Sequence, residues 1–144
     1  MVQPMQAQAD AIVQTLKRKQ LRVTPQRFAV YANLLERQDH PTVEQLHSDL
    51  NRDAPTSSQA TIYAALQALR QAGLVREVLL EEGVSRYDAN VAPHHHFHCT
   101  ACHAIEDIPW EAFQGVDLTN LRVGLKAKRY EVTVTGICDR CRDS

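Results

Sequence analysis

The stretch SSQATIYAALQALRQAGLVREVLLEEGVSRYD, Ser57 to Asp88, places a helix, a stop and a hairpin in immediate succession. Ser58 is a good N-cap. Ile62, Leu66 and Leu69 recur at helical spacing behind it, which predicts a helix from about Gln59 to Ala72. Gly73 ends that helix as a C′ glycine. Val75 to Leu80, the turn Glu81-Glu82-Gly83, and Val84 to Asp88 then read as two short strands about a glycine-containing turn.

Working towards the N-terminus, Pro55-Thr56-Ser57-Ser58 is a loop that leads into this helix. Before it, Thr42 and Gln45 make a capping-box pair that opens a short helix with Val43, Leu46 and Leu50 inside. His40-Pro41 breaks the chain. Thr24-Pro25 reads as N-cap and first helical position of a helix with Phe28, Tyr31, Leu34 and Leu35 as its buried stripe. Gln6 to Gln20 is helical in pattern, with Ile12, Val13 and Leu16 on one side. Several helices followed by a hairpin make a winged helix-turn-helix.

The second half changes character at Ala92-Pro93. His95 to Cys99 and Ala104 to Ile108 read as short strands, Asp117 to Lys128 as a helix, and Tyr130 to Thr135 as an alternating strand. About fifty residues are too few for a self-sufficient core, so this half needs a metal staple, a partner subunit, or both. The fold class expected is α+β: a winged-helix domain over 1–84, a hinge over 85–93, and a small α/β dimerisation and metal-binding domain over 94–144.

With 144 residues, 44% hydrophobic and 23% charged, the chain has the composition of an ordinary globular protein of one domain or two small ones. No apolar run is long enough to span a bilayer, and Met1 to Lys19 lacks a signal-peptide core. The expectation is a cytoplasmic protein with no membrane association. A net charge of −1 argues weakly against nucleic acid. However, Lys17, Arg18, Lys19, Arg22 and Arg27 fall in one stretch without an acid, enough for phosphate contacts. A solvated helix face is the bland alternative.

All four cysteines lie in CxxC pairs, Cys99/Cys102 and Cys138/Cys141. Four thiolates suit a closed tetrahedral structural Zn²⁺ site, and this reading is favoured over two redox motifs or two disulfides. Just upstream runs His94-His95-His96-Phe97-His98. On a strand His94, His96 and His98 share one face and His95 points the other way. Imidazoles with carboxylates suit Fe²⁺, Mn²⁺ or Zn²⁺, so a second metal site is favoured over a merely polar strand. Asp88 and Asp107 are the nearby candidates for oxygen ligands. On the predicted fourth helix Gln59, Tyr63, Gln67 and Arg70 repeat opposite the buried stripe. Gln and Arg read base edges and a Tyr ring packs on a thymine methyl. An ordinary solvated face is the alternative.

Taken together these residues resemble the ferric uptake regulator (Fur) family. The resemblance is carried by Leu21-Arg-Val-Thr-Pro-Gln-Arg27, His40-Pro-Thr42, Ala60-Thr-Ile-Tyr-Ala-Ala-Leu66, Ala72-Gly-Leu74, Ser85-Arg-Tyr-Asp88, the His94–Cys102 run and Gly136-Ile-Cys-Asp-Arg-Cys141. It implies a homodimer that binds double-stranded operator DNA, with Arg22 contacting phosphate or the minor groove. It also implies a regulatory Fe²⁺ or Mn²⁺ held by His40, Asp88, His94, His96 and Asp107. Iron-sensing members usually have Glu where Asp88 and Asp107 stand, whereas the peroxide-responsive repressors (PerR-like) have Asp at both. The chain is therefore similar to a peroxide-responsive repressor, with His40 and His94 as the histidines open to iron-catalysed oxidation. It departs from many members in having Ala64 after the recognition tyrosine and in lacking a histidine in Glu131 to Thr135. The role of His95 and His98 in any further metal site stays open. Two alternatives remain: an iron or zinc uptake regulator of the same family, or a metal-dependent hydrolase using His94, His96 and Asp88. The latter would need an open coordination position, and no general-base motif such as HExxH is present. The expectation is a regulator and not an enzyme.

Overall fold

The computed structural model describes residues 4–52 and 57–143. The chain forms two compact units, the first running to Val91 and the second starting at Ala92. The first contains α1 (Pro4–Arg18), α2 (Pro25–Glu36), α3 (Val43–Leu50), α4 (Gln59–Gln71), β1 (Arg76–Glu81) and β2 (Val84–Asp88). The second contains β3 (His95–Cys99), β4 (Ile105–Ile108), a 3₁₀ turn over Trp110–Phe113, and β5 (Thr133–Gly136).

α2, α3 and α4 each start where a side chain can satisfy their first unpaired N–H groups. Thr24 Oγ1 accepts from the Arg27 N–H at 3.1 Å, and Pro25 takes the first helical position, where its missing N–H costs nothing. Thr42 and Gln45 form a reciprocal capping box, with bonds of 3.2 and 2.9 Å. Ser58 caps α4 through the Thr61 N–H at 3.1 Å. Gly73 ends α4 at φ +78°, and the Leu74 N–H reaches back to the Leu69 carbonyl at 3.0 Å. The expected loop residues Pro55 and Thr56 lie outside the described residues.

The apolar faces of these helices meet in one core, with Leu16, Val30, Leu34, Leu46, Ile62, Leu66 and Leu69 almost wholly buried. Leu35, expected in the buried stripe of α2, is exposed; Val30 takes its place, because the face that packs is the one through Val30, Tyr31 and Leu34. β1 and β2 pair antiparallel with Arg76 opposite Asp88 and Glu77 opposite Tyr87, and the register shifts between Val78 and Glu81. Tyr87, 1% exposed, fixes the hairpin to the helical core. β2 starts at Val84, and the first unit runs on to Val91.

In the second unit β3 is the central strand, antiparallel to β4 and parallel to β5. The expected helix over Asp117 to Lys128 is absent. Asp117 instead accepts from the Thr119 N–H at 2.8 Å and from its hydroxyl at 2.5 Å, and Gly124 sits at φ +96°. A side chain that caps a local turn and a left-handed glycine both compete with helix. Leu121, Val123 and Leu125 are also exposed, so no apolar face rewards helix formation within the chain. The last strand is shorter than the expected Tyr130–Thr135 and begins at Thr133, where pairing to His96 starts.

Candidate metal centres

β3 ends at Cys99, and the turn that follows returns Cys102 beside it. The parallel strand β5 delivers Cys138 and Cys141 to the same end of the sheet. The four sulfurs lie within 4.8 Å of one another, with Cys102 and Cys138 at 3.7 Å. Backbone N–H groups of Cys102 and Cys138 donate to the Cys99 sulfur at 3.5 and 3.4 Å. Those bonds, the Cys102 one first, lower the Cys99 thiol to about 5. Burial opposes ionisation of Cys138, but hydrogen bonds from Cys141 and Cys102 outweigh it and its thiol is lowered too. Cys141 is pushed up to about 12, chiefly by its contact with Cys138. Two sulfurs thus favour the thiolate, and their charge holds the proton of the neighbouring Cys141 thiol in place. A cation that replaces those protons relieves the competition. Four converging sulfurs with N–H···S support fit a structural Zn²⁺, which takes four thiolates tetrahedrally.

The histidine run divides as alternation requires. His94 and His96 lie on one side with their rings 4.6 Å apart, both almost fully buried. Their Nε2 atoms stand 3.3 and 3.6 Å from Asp107 Oδ1. The register explains the convergence, since His96 is directly opposite Asp107 across the β3–β4 ladder. His94 Nδ1 is 2.6 Å from the Ala92 carbonyl. A carbonyl only accepts, so Nδ1 donates to it, and Nε2, on the Asp107 side, is the nitrogen left to bind a metal.

His95 points to the opposite side and is fully buried. Its ring stacks on Trp110 at 4.8 Å and on Tyr130 at 5.8 Å, and meets Phe113 edge-on at 5.1 Å. His95 Nδ1 accepts from the Val132 N–H at 2.9 Å. This aromatic box was not legible beforehand, because its members come from three separate stretches.

In the first unit His40 and Asp88 form a pair of their own, His40 Nε2 lying 3.2 Å from Asp88 Oδ2. His40 is 2% exposed and sits at φ +54°, a left-handed conformation that side chains rarely adopt. Its carbonyl accepts from Arg86 Nη1 at 3.2 Å, and the next carbonyl, of Pro41, accepts from the Tyr87 N–H at 2.9 Å. Asp88 Oδ1 accepts from the Asn90 N–H at 2.8 Å, which leaves Oδ2 facing the imidazole. A buried histidine and carboxylate held this way fit half of a nitrogen and oxygen metal site.

The predicted DNA-facing residues are not equivalent. Gln59 and Tyr63 are exposed on α4, Tyr63 by 51%. Gln67 is half-buried with its amide nitrogen enclosed, so it does not share the open face. Arg70 is exposed but pairs with Glu77 of β1 at 3.1 Å, tying α4 to the hairpin. Ser85 donates to the same carboxylate at 3.1 Å. Arg22 is exposed, and its carbonyl accepts from Arg27 Nη1 at 2.9 Å.

A winged helix-turn-helix followed by a four-cysteine centre and buried histidine–carboxylate sets defines a metal-responsive regulator of DNA-binding type. The family model for the ferric uptake regulator family matches residues 18–135. The chain belongs to the ferric uptake regulator family. It is 32% identical over 130 residues to the peroxide operon regulator of Bacillus subtilis, covering 90% of each chain. It is similar to the PerR structure from Streptococcus pyogenes at 26% identity and a TM-score of 0.51, covering 93% of this chain and 92% of that one. The ferric uptake regulator of Helicobacter pylori shares the fold, at 16% identity and a TM-score of 0.71 over 94% of this chain and 95% of that one. Among the described residues no helix is long and apolar enough to cross a membrane.

Proposed function

We propose that this chain is a peroxide-responsive repressor that works in the cytoplasm as a homodimer on pseudo-palindromic operator DNA. The observation that carries the reading is the pair of aspartates, Asp88 beside His40 and Asp107 beside His94 and His96. Aspartate at both places is the pattern of the peroxide-responsive repressors that the chain resembles, and the similarity to the Bacillus subtilis regulator supports the reading.

In this reading His40, Asp88, His94, His96 and Asp107 hold one regulatory Fe²⁺ or Mn²⁺, while the four cysteines hold Zn²⁺. Three imidazoles and two carboxylates are a ligand set of the right hardness for either regulatory ion. When bound there, Fe²⁺ would supply the redox chemistry towards hydrogen peroxide, one oxygen passing to a side chain and the other leaving as water. The chain's own part is to bind, orient and switch. Asp88 and Asp107 orient the imidazoles. By the family resemblance, His40 and His94 are the side chains that take up oxygen. Losing either one loosens the hold on His40 and with it the dimer geometry suited to two half-sites. Gln59, Tyr63, Gln67 and Arg70 of α4 are the DNA-binding set, with Tyr63 and Gln59 the most open and Arg70 braced by Glu77, and Arg22 and its basic neighbours meet phosphate. The division into a domain over 1–84, a hinge over 85–93 and a domain over 94–144 belongs to the same proposal. The chain acts as a regulator and not as an enzyme.

The test is tandem mass spectrometry of Fe²⁺-loaded and Mn²⁺-loaded protein after a peroxide dose, with DNA retention measured in parallel. The expected result is one added oxygen on His40 or His94 and release of DNA in the Fe²⁺ form only. Oxidation confined to cysteines, with zinc loss before DNA release, would make the sensor a thiol switch and end this reading.

A further inference from the structure

Beside the cysteine turn, His98 and His103 lie outside both metal sets. His98 is the last of the run on β3. It is 8% exposed and lies between Ile105 of β4 and Thr135 of β5 in the sheet register. His103 directly follows Cys102 and is exposed. The turn that gathers the first cysteine pair also carries His103 back towards β3, its N–H donating to the Cys99 carbonyl at 2.9 Å. The two rings stand 6.1 Å apart by centroid, and a ring nitrogen of each lies within 4.8 Å of the other.

The backbone at His103 supplies a second, independent observation. Its φ is +65°, in the left-handed region. Glycine adopts that conformation without penalty, while any other residue held there is strained. A histidine stands at a tight turn where glycine is the conformationally cheaper residue, and its ring comes to rest beside another imidazole.

We propose that His98 and His103 form a further metal site, a two-imidazole clip on the cysteine turn that takes Zn²⁺, with water completing its shell. Imidazole is a good ligand for zinc at about 2.0–2.1 Å, so two such nitrogens on a tetrahedral ion stand roughly 3.3 Å apart. A small rotation of the exposed His103 ring closes the remaining gap. With two neutral ligands against four thiolates, the clip is the weaker site and fills after the cysteine centre. It is also separate from the set around Asp107, which uses His94 and His96. Once filled, it ties the turn over Thr100 to His103 down onto the central strand.

Equilibrium dialysis of the full-length protein against stepped Zn²⁺, with zinc counted per chain, tests the site through a His103→Gly variant. Glycine suits the backbone angle, so the turn keeps its shape while the ligand is removed. The variant should lose one zinc equivalent, the last to bind, and retain the rest of the isotherm. In parallel, ¹⁵N spectra of the imidazoles should show the His98 ring shifting with that last equivalent in the parent and not in the variant. A His98→Gln variant should lose the same equivalent. An unchanged zinc count in His103→Gly, or a His98 ring that ignores the last equivalent, overturns the proposal. Because the readout is a difference between parent and variant, it is independent of whether the regulatory set senses peroxide.

Discussion

Replacing Cys138 with serine removes one of four ligands from the centre on which the second unit depends. Apart from Cys99 and Cys138, Ile105 is the only apolar side chain in that unit that is fully buried among the described residues. Full burial of one such residue contributes about 1.5–3 kcal/mol. The partly exposed Trp110, Phe113 and Tyr130 add packing around His95 but do not close a core. A structural zinc contributes roughly 10–16 kcal/mol of apparent binding free energy to small zinc domains at neutral pH. That exceeds the isoleucine several-fold and is comparable with the entire net stability of a domain, about 5–15 kcal/mol. The cysteine centre, not apolar burial, therefore decides whether β3, β4 and β5 hold together. Cys138→Ser protein should release its zinc to a colorimetric chelator. Amide exchange along β3 and β5 should rise towards the unfolded rate, while α2 and α4, with their own core, should stay protected. Sedimentation should show loss of the dimer. A variant that stays dimeric with full zinc and an unchanged exchange pattern would refute the reasoning.

Three further outcomes are expected. Tyr63→Ala should leave the melting temperature nearly unchanged, because the side chain is half-exposed, yet cost about 1–3 kcal/mol per half-site on operator DNA and almost nothing on random DNA. Competitive binding assays decide this, and equal losses on both DNAs would contradict the base-reading role. Asp107→Glu lengthens the carboxylate arm facing His94 and His96, so metal-dependent DNA binding should survive while peroxide-driven release slows; an unaltered release rate would count against the aspartate argument. Thr42→Ala breaks the capping box that starts α3 two residues after His40 and should lower stability by about 1 kcal/mol in chemical denaturation. It should also weaken regulatory-metal affinity, and a variant with full affinity would show that His40 is held by its carbonyl bonds alone.

Where the sequence was legible, the signals were local. Thr24-Pro25, Thr42 with Gln45, Ser58 and Gly73 act within a few residues of themselves, so the helix ends they mark fall where expected. The alternation of His94 to Cys99 was equally readable, because a strand has a fixed period of two. What stayed hidden depends on partners distant in sequence. Nothing in Thr133 to Gly136 announces that it pairs parallel to β3, nor that Arg70 would be claimed by Glu77. The helix expected over Asp117 to Lys128 had favourable composition, but Asp117 turned on Thr119 and Gly124 took a positive φ. His40 could be assigned a metal role only through the family resemblance; its nearness to Asp88 is a product of the fold.

The central position of β3 limits how this protein can change over generations. Within six consecutive residues, His94 to Cys99, the side chains serve alternately the histidine–aspartate set, the aromatic box and the cysteine centre, and both neighbouring strands read their register from the same backbone. Inserting or deleting a single residue there would rotate every later side chain to the wrong side at once. Substitutions, by contrast, alter one duty at a time. Lineages derived from this chain should therefore diversify by exchanging residues along the strand, as at His98, while its length stays frozen. Changes in length should collect in the irregular stretch between the 3₁₀ turn and β5, where no ladder keeps count.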